Sequence, residues 1–173
     1  SRDVRLAVAA NRGANGIDGT LATAVGFANG LHQPVILLLG DLALLHDLNS
    51  LALAAKSKLP ITIVVVNNGG GGIFSFLPIA KVKAHFEEYF GTPHEYEFKS
   101  AAAMYDLPYH QAATPAQFTD VYRQAALSSK SVIIEIKSNR KRNFAQHEEI
   151  WRAIERQIKR ELNLNITPRS KGN

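Results

Sequence analysis

Three short runs constrain this chain more than any other feature: residues 35–39, 61–66 and 132–137 are almost unbroken stretches of aliphatic and β-branched side chains. Each falls far short of the roughly 20 apolar residues that a membrane-spanning helix needs. Runs of this length, apolar at successive positions, read as strands covered on both faces, as in a parallel sheet. Two weaker candidates, 5–9 and 109–111, complete the strand list. Ala-rich or amphipathic stretches fill the intervals and predict helices over 19–29, 45–56, 81–89, 99–104, 115–127 and 146–162. The alternation predicts an α/β fold with three αβα layers and a mostly parallel, doubly wound sheet.

Of the helices, 115–127 has the clearest start. Thr114 supplies an N-cap, Pro115 the first helical position and Gln117 the reciprocal member of a capping box. The closing helix sets Ile150, Trp151, Ile154, Ile158 and Leu162 on one stripe, read as a packing face rather than a membrane face. Residues 1–165 are expected to form one domain, with 166–173 a flexible C-terminal tail.

With 173 residues, the chain is large enough for a substantial single core. No cysteine is present, which excludes disulfides, thiolate metal sites and a cysteine nucleophile, and fits a reducing, cytoplasmic setting. The net charge of +5 hints at nucleic acid until it is located. Residues 1–136 carry 10 basic and 11 acidic side chains, and residues 137–173 carry 10 and 4. The body therefore has no general basic face, and no nucleic-acid partner is expected. The basic cluster Lys137, Arg140, Lys141 and Arg142 reads as a solvated loop, having no aromatic platform beside it.

In a doubly wound sheet the ligand crevice lies beyond the carboxyl ends of the strands. The segments to interrogate are therefore 11–19 (NRGANGIDG), 40–42 (GDL) and 67–74 (NNGGGGIF). Asp41 and Asn68 each follow an apolar strand, so a crossover would bring a carboxylate and an amide oxygen to neighbouring strand ends. Hard oxygen donors of this kind suit Mg²⁺, which commonly shares phosphate oxygens. Glycines beside Asn68 would let the backbone approach a diphosphate and the ion. The alternatives are ordinary ones: Gly-Asp is a frequent helix cap and Asn-Asn-Gly a frequent turn.

Other chemistry is weaker. His46-Asp47 lacks the companions of a metal phosphohydrolase, and His32, His85, His94, His110 and His147 show no ligand spacing, so packing or surface roles are expected for them. The glycine run is followed by neither Gly-Lys-Ser nor Gly-Lys-Thr, and it follows the wrong strand for a dinucleotide fingerprint.

Gly40-Asp41, some two dozen residues and then Asn67-Asn68 resembles the thiamin diphosphate fingerprint, departing at Leu42, where the general pattern has glycine. Taken with NRGANGIDG at 11–19, His46-Asp47-Leu48-Asn49, NNGGGGIFSFLP at 67–78 and Phe90-Gly91-Thr92-Pro93, the chain resembles the C-terminal domain of the 2-succinyl-5-enolpyruvyl-6-hydroxy-3-cyclohexene-1-carboxylate synthases of menaquinone biosynthesis.

That resemblance implies a thiamin diphosphate and Mg²⁺ site with the metal on Asp41, Asn68 and the main chain of Gly70. It places Asn15, Gly16, Ile17, Gly40, Leu42, Ala43, Gly71 and Ile73 around the cofactor. The amides near Leu42, Ala43 and Gly71 would face the diphosphate, and Ile17 would be the apolar wedge that bends the cofactor. Ala43 stands where related enzymes often carry a hydroxyl, which removes one hydrogen bond and leaves the backbone donors. Arg12, Ile73, Phe74 and Leu77 would contact substrate: Arg12 by forking onto a carboxylate, the others as an apolar wall. On the residues alone, Arg12 could equally be a solvated loop residue, Ile17 core, and 73–77 a loop anchor.

The implied reaction decarboxylates 2-oxoglutarate and adds the succinyl unit to isochorismate. It needs a glutamate from a separate pyrimidine-binding domain, so no catalytic residue is expected within this chain, which would be inactive alone. The complete enzyme is expected to be a homodimer or homotetramer. Two rivals stay open: a domain of another thiamin diphosphate 2-oxo acid decarboxylase or of an acetolactate synthase-like enzyme, and a non-catalytic association domain that keeps the fold.

Overall fold

A computed structural model describes residues 7–11 and 16–162. Its centre is a four-stranded sheet of β1 (Val35–Gly40), β2 (Ile61–Asn67), β3 (Tyr109–Ala112) and β4 (Val132–Lys137), in the order β1-β2-β4-β3. All three pairings are parallel, and Val35 lies opposite Ile61, Thr62 opposite Val132 and Tyr109 opposite Ile133. The helices are α1 (Thr20–Leu31), α2 (Asp41–His46), α3 (Leu51–Lys56), α4 (Lys83–Phe86), α5 (Lys99–Met104), α6 (Pro115–Ala126) and α7 (Arg140–Glu161). The expected parallel, doubly wound α/β architecture is thus observed.

One sheet face carries Val35, Leu37 and Leu39 of β1, Ile61, Ile63 and Val65 of β2, and Ile133 of β4. It packs against Leu21 of α1, Leu44 of α2, Leu51 of α3 and Phe98. The opposite face is covered by α6, whose Phe118, Val121, Tyr122 and Ala125 meet Ala112, Val132 and Ile134. That cover ends before β1. Ile36 and Leu38 are 55% and 69% exposed, so β1 is covered on one face only among the described residues, although its composition suggests two.

Several local expectations need correction. Of the predicted strand 5–9, residues 5 and 6 lie outside the described range, while Ala7, Val8 and Ala9 are exposed and form no strand. Two alanines offer little apolar area to repay docking on the free edge of β1. The helix expected over 45–56 is broken into α2, a 3₁₀ turn at Leu48–Ser50 and α3. The cause is Asp47, a buried side chain that leaves the helix to accept hydrogen bonds from Leu21 N (2.7 Å) and Ala22 N (2.9 Å). It thereby caps α1, whose own N-cap is Gly19 and has no side chain to do so.

The helix expected over 81–89 becomes 3₁₀ turns at Gly72–Phe76 and Pro78–Lys81, then α4, then a wider π turn at Glu87–Gly91 closed by Thr92 N on Glu87 O (2.7 Å). Helix α7 starts six residues before the expected 146, because the Asn139 side chain caps it by accepting from Arg142 N (2.9 Å). Arg140, Lys141 and Arg142 are therefore its first turn, not a loop. By contrast, α5 and α6 fall where expected; Thr114 caps α6 by accepting from Gln117 N (3.2 Å), while the Gln117 side chain reaches back past Thr114 to accept from Ala113 N (2.9 Å) in place of the expected reciprocal bond. The α7 stripe from Ile150 to Leu162 remains about half exposed. The expected tail, 166–173, lies outside the described residues.

Candidate functional site at the carboxyl edge of the sheet

The parallel register between β1 and β2 sets Gly40 opposite Val66. Asp41 and Asn67 are therefore the next residues along two hydrogen-bonded neighbours, and both chains turn at the same level. Asp41 opens α2 and is almost fully buried. Its Oδ2 accepts from Gly69 N (2.8 Å) and Gly70 N (2.9 Å), while Oδ1 accepts from Leu42 N (2.9 Å). One carboxylate thus ties the end of β1 to the glycine loop after β2 and is pre-organised by amide donors.

The glycines serve a close approach between two loops. Gly69 and Gly70 have φ of 75° and 136°. A Cβ on Gly70 would stand 2.3 Å from Gly91 O, and one on Gly71 would stand 2.2 Å from Phe90 O. Gly71 N donates to Gly91 O (2.8 Å), and His94 N donates to Gly69 O (3.3 Å). The backbone that the glycine run admits in this structure is therefore the 90–94 segment. The amide of Gly71 is spent on Gly91, and that of Leu42 on Asp41.

Three buried polar side-chain atoms around this junction make no hydrogen bond: Asn68 Oδ1, His94 Nε2 and, against Gly91, Arg140 Nη1. His94 Nδ1 accepts from Tyr96 N (3.2 Å), which places the ring proton on Nε2. That nitrogen lies 3.1 Å from Asp41 Oδ2 but is misaligned with it. An unpartnered buried amide oxygen is costly in isolation and is relieved by a cation. Asp41, Asn68 and the Gly70 carbonyl make an all-oxygen donor set of the kind that Mg²⁺ takes when phosphate and water complete its shell. No cluster of three acidic, His or Cys side chains occurs among the described residues, so any cation here depends on amide, carbonyl and ligand oxygens. The residues present fit such a group.

The remaining expected site residues are placed as follows. Arg12 and Asn15 lie outside the described residues. Gly16 is exposed and Ile17 is 39% exposed at the entrance to α1. Ala43 is buried against the core. Ile73 is 71% exposed and Leu77 47% exposed, so neither is core. Phe74 instead anchors the loop edge-on against Phe90, with centroids 5.6 Å apart. Phe76 packs on Phe144, His147 and Trp151 of α7. Phe74 and Phe76 thus anchor the segment through their rings, while Ile73 and Leu77 are exposed.

Residues 6–136 match the family described as thiamine pyrophosphate enzyme, C-terminal TPP binding domain. The chain belongs to this family. Its curated relatives include the 2-succinyl-5-enolpyruvyl-6-hydroxy-3-cyclohexene-1-carboxylate synthase of Salinibacter ruber, 50% identical over 86% of this chain and 25% of that protein. The synthase of the same name from Rubrobacter xylanophilus is 52% identical over 84% of this chain and 25% of its own length. The chain thus spans about a quarter of these relatives. Among solved structures, the thiamine diphosphate-dependent 4-hydroxybenzoylformate decarboxylase of Rhodococcus jostii RHA1 superposes with a TM-score of 0.63 at 26% identity, over 72% of this chain and 23% of that one.

In this thiamine pyrophosphate enzyme domain, sequence reasoning missed three contributors to the site. His94 stands against Asp41 although its spacing suggests only packing or surface. Glu135 is fully buried behind Asn67. Arg140, largely buried, pairs with Glu87 and lies against the Gly91 turn. All three come from segments remote in sequence, and no local pattern marks them. Glu135 also accepts from the Tyr109 hydroxyl (2.8 Å). Burial first, and that hydrogen bond to a carboxylate second, push the Tyr109 phenol well above the ordinary tyrosine range.

Proposed function

We propose that this chain is the cofactor-binding C-terminal domain of a 2-succinyl-5-enolpyruvyl-6-hydroxy-3-cyclohexene-1-carboxylate synthase, decarboxylating 2-oxoglutarate and joining the succinyl unit to isochorismate. The observation that carries the reading is the orphaned, buried Asn68 Oδ1 in the loop whose next two amides bind the buried Asp41, at the carboxyl ends of adjacent strands. The identity of about half to synthases of that name supports the choice of reaction. Asp41, Asn68 and the Gly70 carbonyl would hold Mg²⁺, which would offset the charge of the diphosphate of thiamin diphosphate. When bound, the cofactor supplies the electron sink for loss of CO₂.

The chain's own residues bind, orient and exclude water. Three backbone donors fix the Asp41 carboxylate before any ligand arrives, so little reorganisation accompanies binding. Ile73 and Leu77, both exposed, would provide the apolar wall that keeps water from the reacting carbon. Gly16 and Ile17 would border the cofactor together with Asn15, and Arg12 is assigned to a substrate carboxylate. The partners are the two carboxylate substrates and a pyrimidine-binding domain of the same enzyme, working as a homodimer or homotetramer in the cytoplasm. No helix of the described residues is long and apolar enough to cross a membrane.

The test is CO₂ release from 2-oxoglutarate by the full-length protein supplied with thiamin diphosphate, Mg²⁺ and isochorismate. Release should require both cofactors, vanish in Asp41→Ala and be absent for the 173-residue chain alone. Full turnover by Asp41→Ala would refute the metal assignment, and turnover by the isolated chain would refute the division of labour.

A further inference from the structure

A fully buried carboxylate lies behind the metal loop. Glu135 sits in β4 between Val65 of β2 and Gln111 of β3, and it is 0% exposed. An unpaired carboxylate there would be prohibitively costly. It is instead met by donors from three separate segments. Asn67 Nδ2 donates to Oε1 (2.8 Å), while Phe98 N (3.0 Å) and Tyr109 Oη (2.8 Å) donate to Oε2. Stability alone does not call for this arrangement, since well-packed apolar residues serve a core at least as well as buried charge does.

The geometry leads from Glu135 into the site. Asn67 Nδ2 is shared between Glu135 and the carbonyl of Tyr96 (2.9 Å). With both acceptors on the nitrogen, the Asn67 amide has one orientation, and its Oδ1 faces Gly69 N (3.1 Å). Gly69 N is the same donor that reaches Asp41, and the left-handed turn at Gly69 sets where Asn68 and the Gly70 carbonyl fall. The other arm holds Phe98 and, through Asn67, Tyr96. It thereby steadies the 94–98 strap whose His94 ring stands against Asp41.

We infer that Glu135 is a positioning residue for the metal and diphosphate loop, acting through the Asn67 amide and the 94–98 strap. It touches neither ion nor cofactor. It fixes which way the Asn67 amide points, and so the conformation in which the loop presents its oxygens. The inference rests on the metal-site reading above.

In Glu135→Gln the side chain keeps its shape but gains two N–H groups. If its oxygen serves Phe98 and Tyr109, its nitrogen confronts the Asn67 nitrogen, donor against donor. The amide of Asn67 then turns over and presents N–H to N–H at Gly69.

The experiment uses the full-length protein with saturating thiamin diphosphate and Mn²⁺ as a paramagnetic probe, its affinity read by electron paramagnetic resonance. Glu135→Gln and Asn67→Ala should each weaken Mn²⁺ by roughly 10- to 100-fold, the range seen when groups hydrogen-bonded behind metal ligands are lost. Tyr109→Phe removes one of the three donors without touching Asn67, and should lower the melting temperature while leaving Mn²⁺ affinity unchanged. Should Glu135→Gln fail to fold, Asn67→Ala decides. Unchanged Mn²⁺ affinity in folded Glu135→Gln or in Asn67→Ala, or equal weakening in Tyr109→Phe, overturns the role of Glu135. Absence of Mn²⁺ binding by the unsubstituted protein overturns the metal-site reading and this inference with it.

Discussion

Replacing Gly70 by alanine tests why the loop after β2 is built of glycine. The residue has φ of 136°, and its added methyl would stand 2.3 Å from Gly91 O and 2.9 Å from Thr92 O. Holding a side chain in so sparsely populated a region costs about 1–3 kcal/mol. The contacts are backbone atoms, and Gly91 O accepts from Gly71 N (2.8 Å), so relief requires opening that hydrogen bond. Its loss adds about 0.5–1.5 kcal/mol. Gly70→Ala should therefore cost about 2–4 kcal/mol, or roughly 5–15 °C in melting temperature for a chain of this size.

Two companions make the test internal. Gly69→Ala has φ of 75° but meets only His94 O at 3.3 Å, so it should cost about 1–2 kcal/mol, the penalty of a left-handed residue. Gly26→Ala, in the interior of α1 with nothing within 4 Å of its Cβ, should stabilise by about 0.5–1 kcal/mol. Thermal unfolding by circular dichroism ranks the three. A Gly70→Ala protein as stable as Gly69→Ala would refute the argument that the glycine run exists to admit the 90–94 backbone.

The other predictions concern buried carboxylates and their partners. Asp47→Ala removes the side-chain acceptor of the Leu21 and Ala22 amides at the start of α1 and should destabilise by about 2 kcal/mol, the upper end for a lost cap, in urea unfolding; a change near zero would show that another acceptor replaces the cap. In an ultraviolet pH titration, one of the five tyrosines should remain un-ionised past the ordinary range. The sign follows from Tyr109 being held in its neutral form in the fold: the stabilisation is fully present below the ordinary tyrosine range and is lost as the pH rises from that range towards the raised folded value, so the fold should weaken in alkali. Tyr109→Phe should abolish the late step, and its persistence would reassign it.

The positions of β1, β2, β3, β4, α1, α5 and α6 were legible in the chain because their signals are local: apolar runs for most of the strands, and Thr114, Pro115 and Gln117 for the start of α6. That Asp41 and Asn68 each lie just past a strand end was legible because each directly follows such a run, and parallel pairing levels the two strand ends. Tertiary contacts decided the rest. Asp47 breaks a helix-like stretch to cap α1, 26 residues earlier in the chain. The 81–89 stretch is remodelled around Gly91, where Arg140 approaches. His94 and Glu135 reach the site from 53 and 94 positions beyond Asp41, distances over which no periodicity carries information. Sequence determined which segments bury apolar surface, since that depends on the side chains of a few neighbouring residues. Only the folded chain decided which polar groups meet, because a buried donor takes the acceptor that packing brings within about 3 Å, whatever their separation along the chain.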